Sequence, residues 1–224
     1  MLSSQPDGYL ALPASGKGAP VLVLHAWWGL NATIQALCDR LAAAGFVAFA
    51  PDLYHGQTAD TIPEAEALRD ELDADSAPAF AAVHGAAAYL SAHPASAGAA
   101  GAVAHLAVIG FSLGAYFALD LSVSDPERVR SVVVFYGTRS GDDYAQARAA
   151  YLGHFAEQDD FEPQSEVESL ANTLRQAGRP VSFHIYPGAG HWFFEPDRPD
   201  AYHPAAAQLA WERTLAFLNQ ATHS

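Results

Sequence analysis

The sequence predicts an α/β fold in which a mainly parallel central sheet is flanked by helices on both faces. Several short segments are rich in Val, Ile, Leu and Phe, and their apolar residues run together instead of alternating with polar ones. Such runs are typical of strands that are buried on both faces of a parallel sheet. Longer segments with helical spacing separate them, and this alternation of strand and helix favours parallel strands.

The predicted strands are distributed along most of the chain. They are PVLVLHA (20–26), FVAFAPDL (46–53), LAVIGFS (106–112), VRSVVVFYG (129–137), YLGHFAE (151–157) and VSFHIYPG (181–188). Helices are predicted at 31–45, 63–93, 113–125 and 163–178, and from Pro204 onward. The first places Ile34, Leu37 and Leu41 on one face. The second is expected to break into two helices near Ser76 and Pro78, because proline disrupts a helix interior.

The chain is expected to form a single domain, residues 1–224. With 224 residues and 50% hydrophobic content, it can build one large core or at most two small ones. The Ala/Gly/Ser-rich stretch 94–102 has the composition of a domain linker, but the strand pattern resumes directly after it. We therefore interpret this stretch as a connection between a helix and the next strand.

Charge, cysteine content and segment hydropathy exclude several classes of protein. Lys and Arg number 11 against 25 Asp and Glu, a formal net charge of −14, so the surface is expected to repel nucleic acid and anionic membranes. Cys38 is the one cysteine, which excludes an intrachain disulfide. The N-terminal sequence lacks the regions of a signal peptide, and no run reaches the roughly 18 apolar residues of a membrane span. We expect a cytoplasmic protein, and the sequence carries no signal for its oligomeric state.

Neither a metal nor another cofactor is expected. The sequence contains 10 histidines, but no H-E-x-x-H, H-x-H or Cys/His grouping has the spacing of metal ligands. We therefore expect any reactive groups to be side chains that act without a bound ion, and we expect the substrate to be a small molecule.

The pentapeptide GFSLG, residues 110–114, lies between a predicted strand and a predicted helix. This is the strand–turn–helix context that the G-x-S-x-G motif requires, with a serine exposed on a sharp turn. Gly110 and Gly114 allow the backbone to approach itself closely there. The amides that begin the following helix would face a developing oxyanion. Ser112 is thus the candidate nucleophile, and the alternative is a small residue in a tight turn.

A nucleophilic serine needs a histidine base and a carboxylate that orients it, and in folds of this kind they follow in the order Ser, Asp or Glu, His. Asp159 and Asp160 follow one predicted strand, and His191 follows the glycine-rich turn after another. Asp159 is favoured because it leaves the strand end first, whereas Asp160 is expected to face solvent. His191 is favoured over His184, which lies within a strand. The alternatives are a histidine that caps a turn and an Asp pair that begins a helix.

Three segments resemble the dienelactone hydrolases, a branch of the α/β-hydrolase fold. They are PVLVLHAWWGLNATIQALCDRLAAAGFVAFAPDLYHG (20–56), HFAEQDDFEP (154–163) for the acid loop and YPGAGHWFFEP (186–196) for the histidine loop. The resemblance covers roughly residues 8–219. It implies a catalytic triad of Ser112, Asp159 and His191, and an oxyanion hole formed by the backbone amides of Trp27 and Leu113.

The chain also departs from this family's pattern at three positions. Dienelactone hydrolases proper carry cysteine where this chain has Ser112, a glutamate where it has Ala26, and a carboxylate-binding arginine where it has Glu195. A serine without the glutamate is interpreted as an ordinary base-activated hydroxyl. Glutamate in place of arginine is expected to invert the local charge at a partly exposed site, which favours neutral esters over dienelactones that carry a carboxylate.

Aromatic residues near these loops are candidates for an apolar substrate pocket. They are Trp28, Tyr136, Trp192 and Phe193, together with Trp27. Each is also a plausible core or lid residue. His25 is expected to support the oxyanion loop, and Asp52 to brace the loop after its strand.

Taken together, these residues predict a serine hydrolase that cleaves carboxylic esters, including lactones and thioesters, through an acyl-enzyme. Two alternative hypotheses rest on the same residues. An acyltransferase or small peptidase would share the triad, and a non-catalytic ligand-binding protein would keep the fold without turnover, because fold does not imply function.

Overall fold

The structure, a computed structural model, describes residues 4–96 and 104–221. The chain forms two compact units, residues 1–108 and residues 109–224. The helices and strands are, in chain order, β1 (Gly8–Ala11), β2 (Pro20–Leu24), α1 (Ala32–Ala43), β3 (Val47–Pro51), α2 (Ile62–Ala74), α3 (Ala77–Ala92), β4 (Leu106–Phe111), α4 (Leu113–Ser124), β5 (Val129–Phe135), β6 (Ala150–Gln158), α5 (Gln164–Gln176), β7 (Val181–Gly190) and α6 (Pro204–Ala221). Residues 97–102 of the predicted helix–strand connection lie outside the described residues.

In the first unit, strands lie in the order β1, β3, β2. Strand β2 runs parallel to β3, and β1 pairs with the other edge of β3 in the antiparallel direction. Every residue of β2 and β3 is buried. This burial explains the continuous apolar runs, since neither face of these strands meets water.

Local capping fixes where the helices of this unit begin. The Asn31 side chain accepts a hydrogen bond from the Ile34 amide at 3.1 Å and thereby starts α1, because the first amides of a helix lack backbone acceptors. Thr61 and Glu64 form a capping box at the start of α2. The Asp60 amide and the Thr61 amide each donate to Glu64 Oε2 at 3.0 Å, and these bonds hold the pKa of the Glu64 carboxyl below its usual value.

The second unit contains the end of β4 followed by β5, β6 and β7 as successive neighbours in the sheet. Strands β5 and β6 are parallel, as are β6 and β7. The β6–β7 register is irregular between Ala156 and Gln158, and beyond it Gln158 pairs with Gly190. Asp159 and His191 directly follow this last pair, so the strand register already brings them to neighbouring positions.

The predicted fold class is confirmed: the protein is α/β with mainly parallel strands and helices between them. All the predicted strands and helices are present, including the break between α2 and α3. Strand β1 was not predicted, because it is a four-residue strand whose pairing with β3 carries no periodic apolar signal. The single domain stays a prediction. Among the described residues, no helix is long and apolar enough to cross a membrane.

A buried polar cluster joins three elements of the second unit. His154 on β6 is fully buried, and its Nδ1 lies 2.8 Å from the Tyr186 hydroxyl on β7. Its Nε2 lies 3.0 Å from Thr214 Oγ1 on α6. A neutral imidazole has one donor and one acceptor nitrogen, so these two hydroxyls satisfy it completely. Burial, together with the nearby His184 and Arg213, lowers the pKa of His154 well below its ordinary value.

Acid is therefore expected to destabilise the fold through His154. Below the ordinary pKa of 6.5, the unfolded chain binds a proton that the folded chain does not bind, so stability is lost as the pH falls. For one such histidine the loss between about pH 7 and about pH 5 is about 2 kcal/mol. Urea unfolding at both pH values measures it in the wild type and in His154→Gln, which keeps a donor and an acceptor.

His105→Gln is the matched control, since His105 is exposed and should leave the pH dependence unchanged. An equal acid-dependent loss in the wild type and in His154→Gln would show that His154 is not responsible.

Candidate active site

Ser112 stands in a strained turn between the end of β4 and the start of α4. Its φ is 49° and its ψ is −110°, a backbone region that non-glycine residues rarely adopt. Its amide donates to the Phe135 carbonyl at 2.9 Å, which anchors the turn to the end of β5. The side chain is half-buried, so the hydroxyl remains accessible at the carboxyl end of the strand.

Two glycines make this turn sterically feasible. A Cβ atom on Gly110 would overlap the Gly114 carbonyl oxygen, so the close approach of these two backbone segments requires a glycine at 110. A Cβ atom on Gly137 would lie 2.6 Å from the Ser112 carbonyl oxygen. Gly137 follows β5 and was not singled out from the sequence, although a glycine at the end of a neighbouring strand is the signal of such an approach.

The predicted triad residues lie within hydrogen-bond distance of one another. His191 Nε2 is 3.1 Å from Ser112 Oγ, and His191 Nδ1 is 2.8 Å from each carboxylate oxygen of Asp159. The side chains of His191 and Asp159 are only 6% and 3% exposed. With Nδ1 protonated toward the carboxylate, Nε2 is free to accept the proton of the serine hydroxyl. Asp160 is exposed, as expected.

The loop after β6 holds Asp159 in place. Asp159 Oδ1 also accepts hydrogen bonds from the Phe161 amide at 3.0 Å and the Glu162 amide at 2.9 Å. The Glu162 carboxylate in turn accepts from the Thr138 amide at 2.9 Å and the Thr138 hydroxyl at 2.7 Å. Burial raises the pKa of Glu162. Hydrogen bonds between Thr138 and Glu162 therefore join the loops after β5 and β6 next to Asp159.

Three aromatic rings surround the imidazole of His191. The centroid distances are 4.9 Å to Tyr136, 5.1 Å to Phe161 and 4.9 Å to Trp192. Phe161 is 52% exposed and also contacts Trp192, at 5.0 Å between ring centroids. Sequence reasoning missed Phe161, which lies between Asp160 and Glu162 in an acidic segment.

Tyr136 and Glu195 form a buried pair behind the imidazole. The Tyr136 hydroxyl donates to Glu195 Oε1 at 2.6 Å, and Tyr136 has no exposed surface. Burial raises the pKa of Glu195 to about 8 and that of Tyr136 well above its ordinary value, because an ionised group loses its hydration there. Both groups are thus predominantly neutral at pH 7.

The expectation of a partly exposed, charged Glu195 is corrected by this arrangement. Glu195 is 1% exposed, because the chain turns back on itself after the histidine. Trp192 has a φ of 63°, the Glu195 amide donates to the Trp192 carbonyl at 2.9 Å, and the His203 amide donates to the Phe193 carbonyl at 2.9 Å. This turn places the carboxyl inside the protein, so it does not present an inverted charge at the surface.

The predicted pocket residues differ in exposure. Trp192 is half-buried, whereas Tyr136 and Phe193 have no exposed surface and pack against each other with ring centroids 5.6 Å apart. Trp28 is also buried, at 2% exposure.

The residues predicted to form and brace the Trp27 loop lie in the first unit. His25 is fully buried; its Nδ1 donates to the Ala26 carbonyl at 2.7 Å, and its Nε2 accepts from the Leu53 amide at 3.2 Å. These bonds fix the tautomer and join the segments that follow β2 and β3. The Asp52 carboxylate accepts from the Tyr54 amide at 3.0 Å and so braces its own loop, as expected. Leu113 begins α4 in the second unit, and its amide belongs to a first helical turn, where no intrahelical acceptor exists.

No group of three or more His, Cys, Asp or Glu side chains with metal-binding geometry occurs within residues 4–96 and 104–221.

Comparison with known proteins identifies the family. The model of the dienelactone hydrolase family matches residues 7–222. The chain belongs to the dienelactone hydrolase family. It is 32% identical to an Aquifex aeolicus protein named "Putative carboxymethylenebutenolidase", over 94% of this chain and 91% of that one.

Two further relatives agree with this membership. A Bradyrhizobium protein named "Probable 2-oxo-3-(5-oxofuran-2-ylidene)propanoate lactonase" is 32% identical over 94% of this chain and 87% of its own length. A dienelactone hydrolase structure from Klebsiella pneumoniae superposes with a TM-score of 0.78 at 28% identity, covering 92% of this chain and 89% of that one. The protein is accordingly an α/β-hydrolase and an enzyme that acts on ester bonds.

Two positions at which this chain departs from the family's expected pattern are buried. The expected arginine is replaced by the buried Glu195, and the expected glutamate by Ala26, which is 1% exposed. Ser112 contacts His191 directly. The pairing of Glu195 with Tyr136 could not be predicted from the sequence. Glu195 follows His191 by four residues, but this separation does not determine the direction in which the chain turns.

Gly110→Ala is expected to destabilise this protein by about 1–3 kcal/mol or more, since the new methyl group would overlap the Gly114 backbone. Gly85→Ala is the matched control: Gly85 lies in α3, and nothing is within 4 Å of its added Cβ, so it should gain about 0.5–1 kcal/mol. Urea unfolding of the two variants measures both effects. Equal effects of the two substitutions would mean that the turn does not require a glycine at 110.

Proposed function

We propose that this protein is a serine hydrolase that cleaves carboxylic esters, including lactones and thioesters, through a Ser112–His191–Asp159 triad and an acyl-enzyme. The observation that supports it is the continuous hydrogen-bond chain from Ser112 Oγ to His191 and on to Asp159, at 3.1 Å and 2.8 Å. It begins at a serine held in the strained backbone that exposes a nucleophile.

In the first half-reaction, the Ser112 oxygen attacks the ester carbonyl while His191 Nε2 takes its proton. The imidazolium that forms is stabilised by the Asp159 carboxylate, whose position is fixed by two backbone amides. The oxyanion would accept a hydrogen bond from the Leu113 amide at the start of α4, where the helix dipole also favours negative charge. The Trp27 amide is the proposed second donor.

Collapse of the tetrahedral intermediate releases the alcohol, which takes the proton from His191. Water then repeats the sequence on the acyl-enzyme, with the same imidazole as base, and regenerates the Ser112 hydroxyl. A lactone would give a single product here, because its alcohol remains attached to the acyl chain.

The names of relatives and the local charge favour esters and lactones as substrates. One relative carries a lactonase name, and another the name carboxymethylenebutenolidase. The buried, predominantly neutral Glu195 adds no surface charge that would repel an anionic substrate at pH 7. The formal net charge of −14 still favours neutral substrates at low salt. A cytoplasmic location stays a prediction from the sequence.

Ser112→Ala is expected to lower kcat for p-nitrophenyl acetate by at least about a thousandfold, because removal of a triad member commonly costs this much. Ser182→Ala, on an exposed position of β7, should retain the wild-type rate. Circular dichroism and thermal unfolding establish that both variants are folded. A folded Ser112→Ala enzyme with near wild-type kcat would refute the nucleophile.

Asp159→Asn is expected to reduce kcat far more than Asp160→Asn. The Asp159 side chain is only 3% exposed and contacts His191 Nδ1, whereas Asp160 faces solvent. The amide would favour the wrong imidazole tautomer, an effect of about ten-thousandfold in a serine protease triad. Steady-state kinetics of both variants give the ranking. The reverse ranking would assign the acid to Asp160 instead.

A further inference from the structure

We propose that Glu195 is a positioning residue of this site: through the Tyr136 hydroxyl it holds the phenol ring against His191, and loss of its proton adds a second negative charge behind the imidazole. This inference rests on the proposed function, in which His191 is the base. The inference gives a role to the Glu195 carboxyl, which takes no part in the proposed triad mechanism.

The geometry of the pair gives it one hydrogen bond and no more. Glu195 Oε1 accepts the Tyr136 hydroxyl at 2.6 Å. Oε2 is buried and has no hydrogen-bond partner among the described residues. An ionised carboxylate needs several donors to replace its lost hydration, and a single phenol supplies one. The neutral acid needs fewer hydrogen-bond donors to replace its lost hydration, so burial favours the protonated form.

The same pair reaches the base through a ring contact. The Tyr136 ring lies 4.9 Å from the imidazole of His191, between centroids. Tyr136 adopts a φ of 37°, and its amide donates to the His154 carbonyl at 2.8 Å. The hydrogen bond to Glu195 fixes the far end of this ring. The phenol is therefore held at both ends against the face of His191.

The charged groups around the pair determine when Glu195 loses its proton. Besides burial, Asp197 raises the pKa of Glu195, whereas the Tyr136 hydroxyl and Arg198 lower it, and the result is about 8. Asp159, on the loop after β6, acts on Tyr136 in the same direction as Glu195. Below that pH the carboxyl is a neutral support, and above it a carboxylate.

Ionisation of Glu195 would strengthen catalysis. Ser112 attack creates a positive charge on His191, and a carboxylate behind Tyr136 would stabilise that charge in addition to Asp159. His191 is 7% exposed and Glu195 is 1% exposed, and charges separated by one ring interact appreciably at such buried positions. We expect kcat/KM for a neutral ester to rise by about threefold to tenfold as Glu195 ionises.

The kinetic test is the profile of kcat/KM for p-nitrophenyl acetate from about pH 5 to about pH 10, corrected for spontaneous hydrolysis. The wild type should show the acid-side rise that a neutral His191 requires and a second rise near pH 8. Glu195→Gln should retain the first rise and lose the second, because the amide cannot ionise. Asp200→Asn, at an exposed position nearby, should retain both.

Tyr136→Phe distinguishes the pair from a single titrating acid. The phenyl ring still packs on His191, but the carboxylate loses its one donor, so the second rise should move to higher pH. Thermal unfolding of each variant establishes that it is folded. A second rise that persists in Glu195→Gln, or its absence from the wild type, would overturn the proposal.

A measurement without turnover separates this proposal from the proposed function. Carbon-13 NMR of carboxyl-labelled glutamate in the wild type should show one signal that titrates near pH 8 and is absent from Glu195→Gln. Titration of that signal at the ordinary carboxyl pKa of 4.5 would overturn the inference. Full activity of Ser112→Ala would refute the proposed function and leave the carboxyl titration unaffected.

Discussion

The steric constraint of the turn at Ser112 governs the arrangement of this site. A serine with a φ of 49° is stable only where the neighbouring backbone can approach closely, which explains the glycines at 110 and 137. The turn is anchored to the end of β5 by the bond from the Ser112 amide to the Phe135 carbonyl. The next residue, Tyr136, then begins the segment that packs against His191.

His191 is held by two different kinds of contact. On one side, Asp159 accepts its Nδ1 proton and is itself fixed by backbone amides. On the other side, aromatic rings pack against the imidazole, and the ring of Tyr136 is fixed in turn by Glu195. The carboxylate favours the tautomer with a proton on Nδ1, whereas the packed rings restrict rotation of the imidazole. An imidazole held in this way can change protonation state without changing place.

The sequence was sufficient for the order of elements and for the expectation that Ser112, Asp159 and His191 lie close together. Buried parallel strands leave continuous apolar runs, and each of these three residues follows such a run, so their positions at strand ends could be predicted. The short strand β1 could not, since its pairing partner β3 is distant in sequence. The burial of Glu195 also escaped prediction, because it depends on the left-handed turn at Trp192 and not on residue type. A sequence shows which groups can ionise, but the path of the folded chain determines which of them are buried and therefore neutral.

Left-handed backbone at non-glycine residues is concentrated around the triad. Among the described residues, His55, Ser112, Tyr136 and Trp192 have positive φ, and the last three are the proposed nucleophile and two rings that contact His191. Each such residue costs about 1–3 kcal/mol of folding free energy. Tyr136→Gly would relieve this cost, but it would also remove a ring that has no exposed surface and the one donor to the buried Glu195 carboxyl, and these losses together cost more. Laboratory selection for heat resistance is therefore expected to keep Tyr136 in its strained conformation, so that even a screen that scores only thermal tolerance would preserve the aromatic contact to His191.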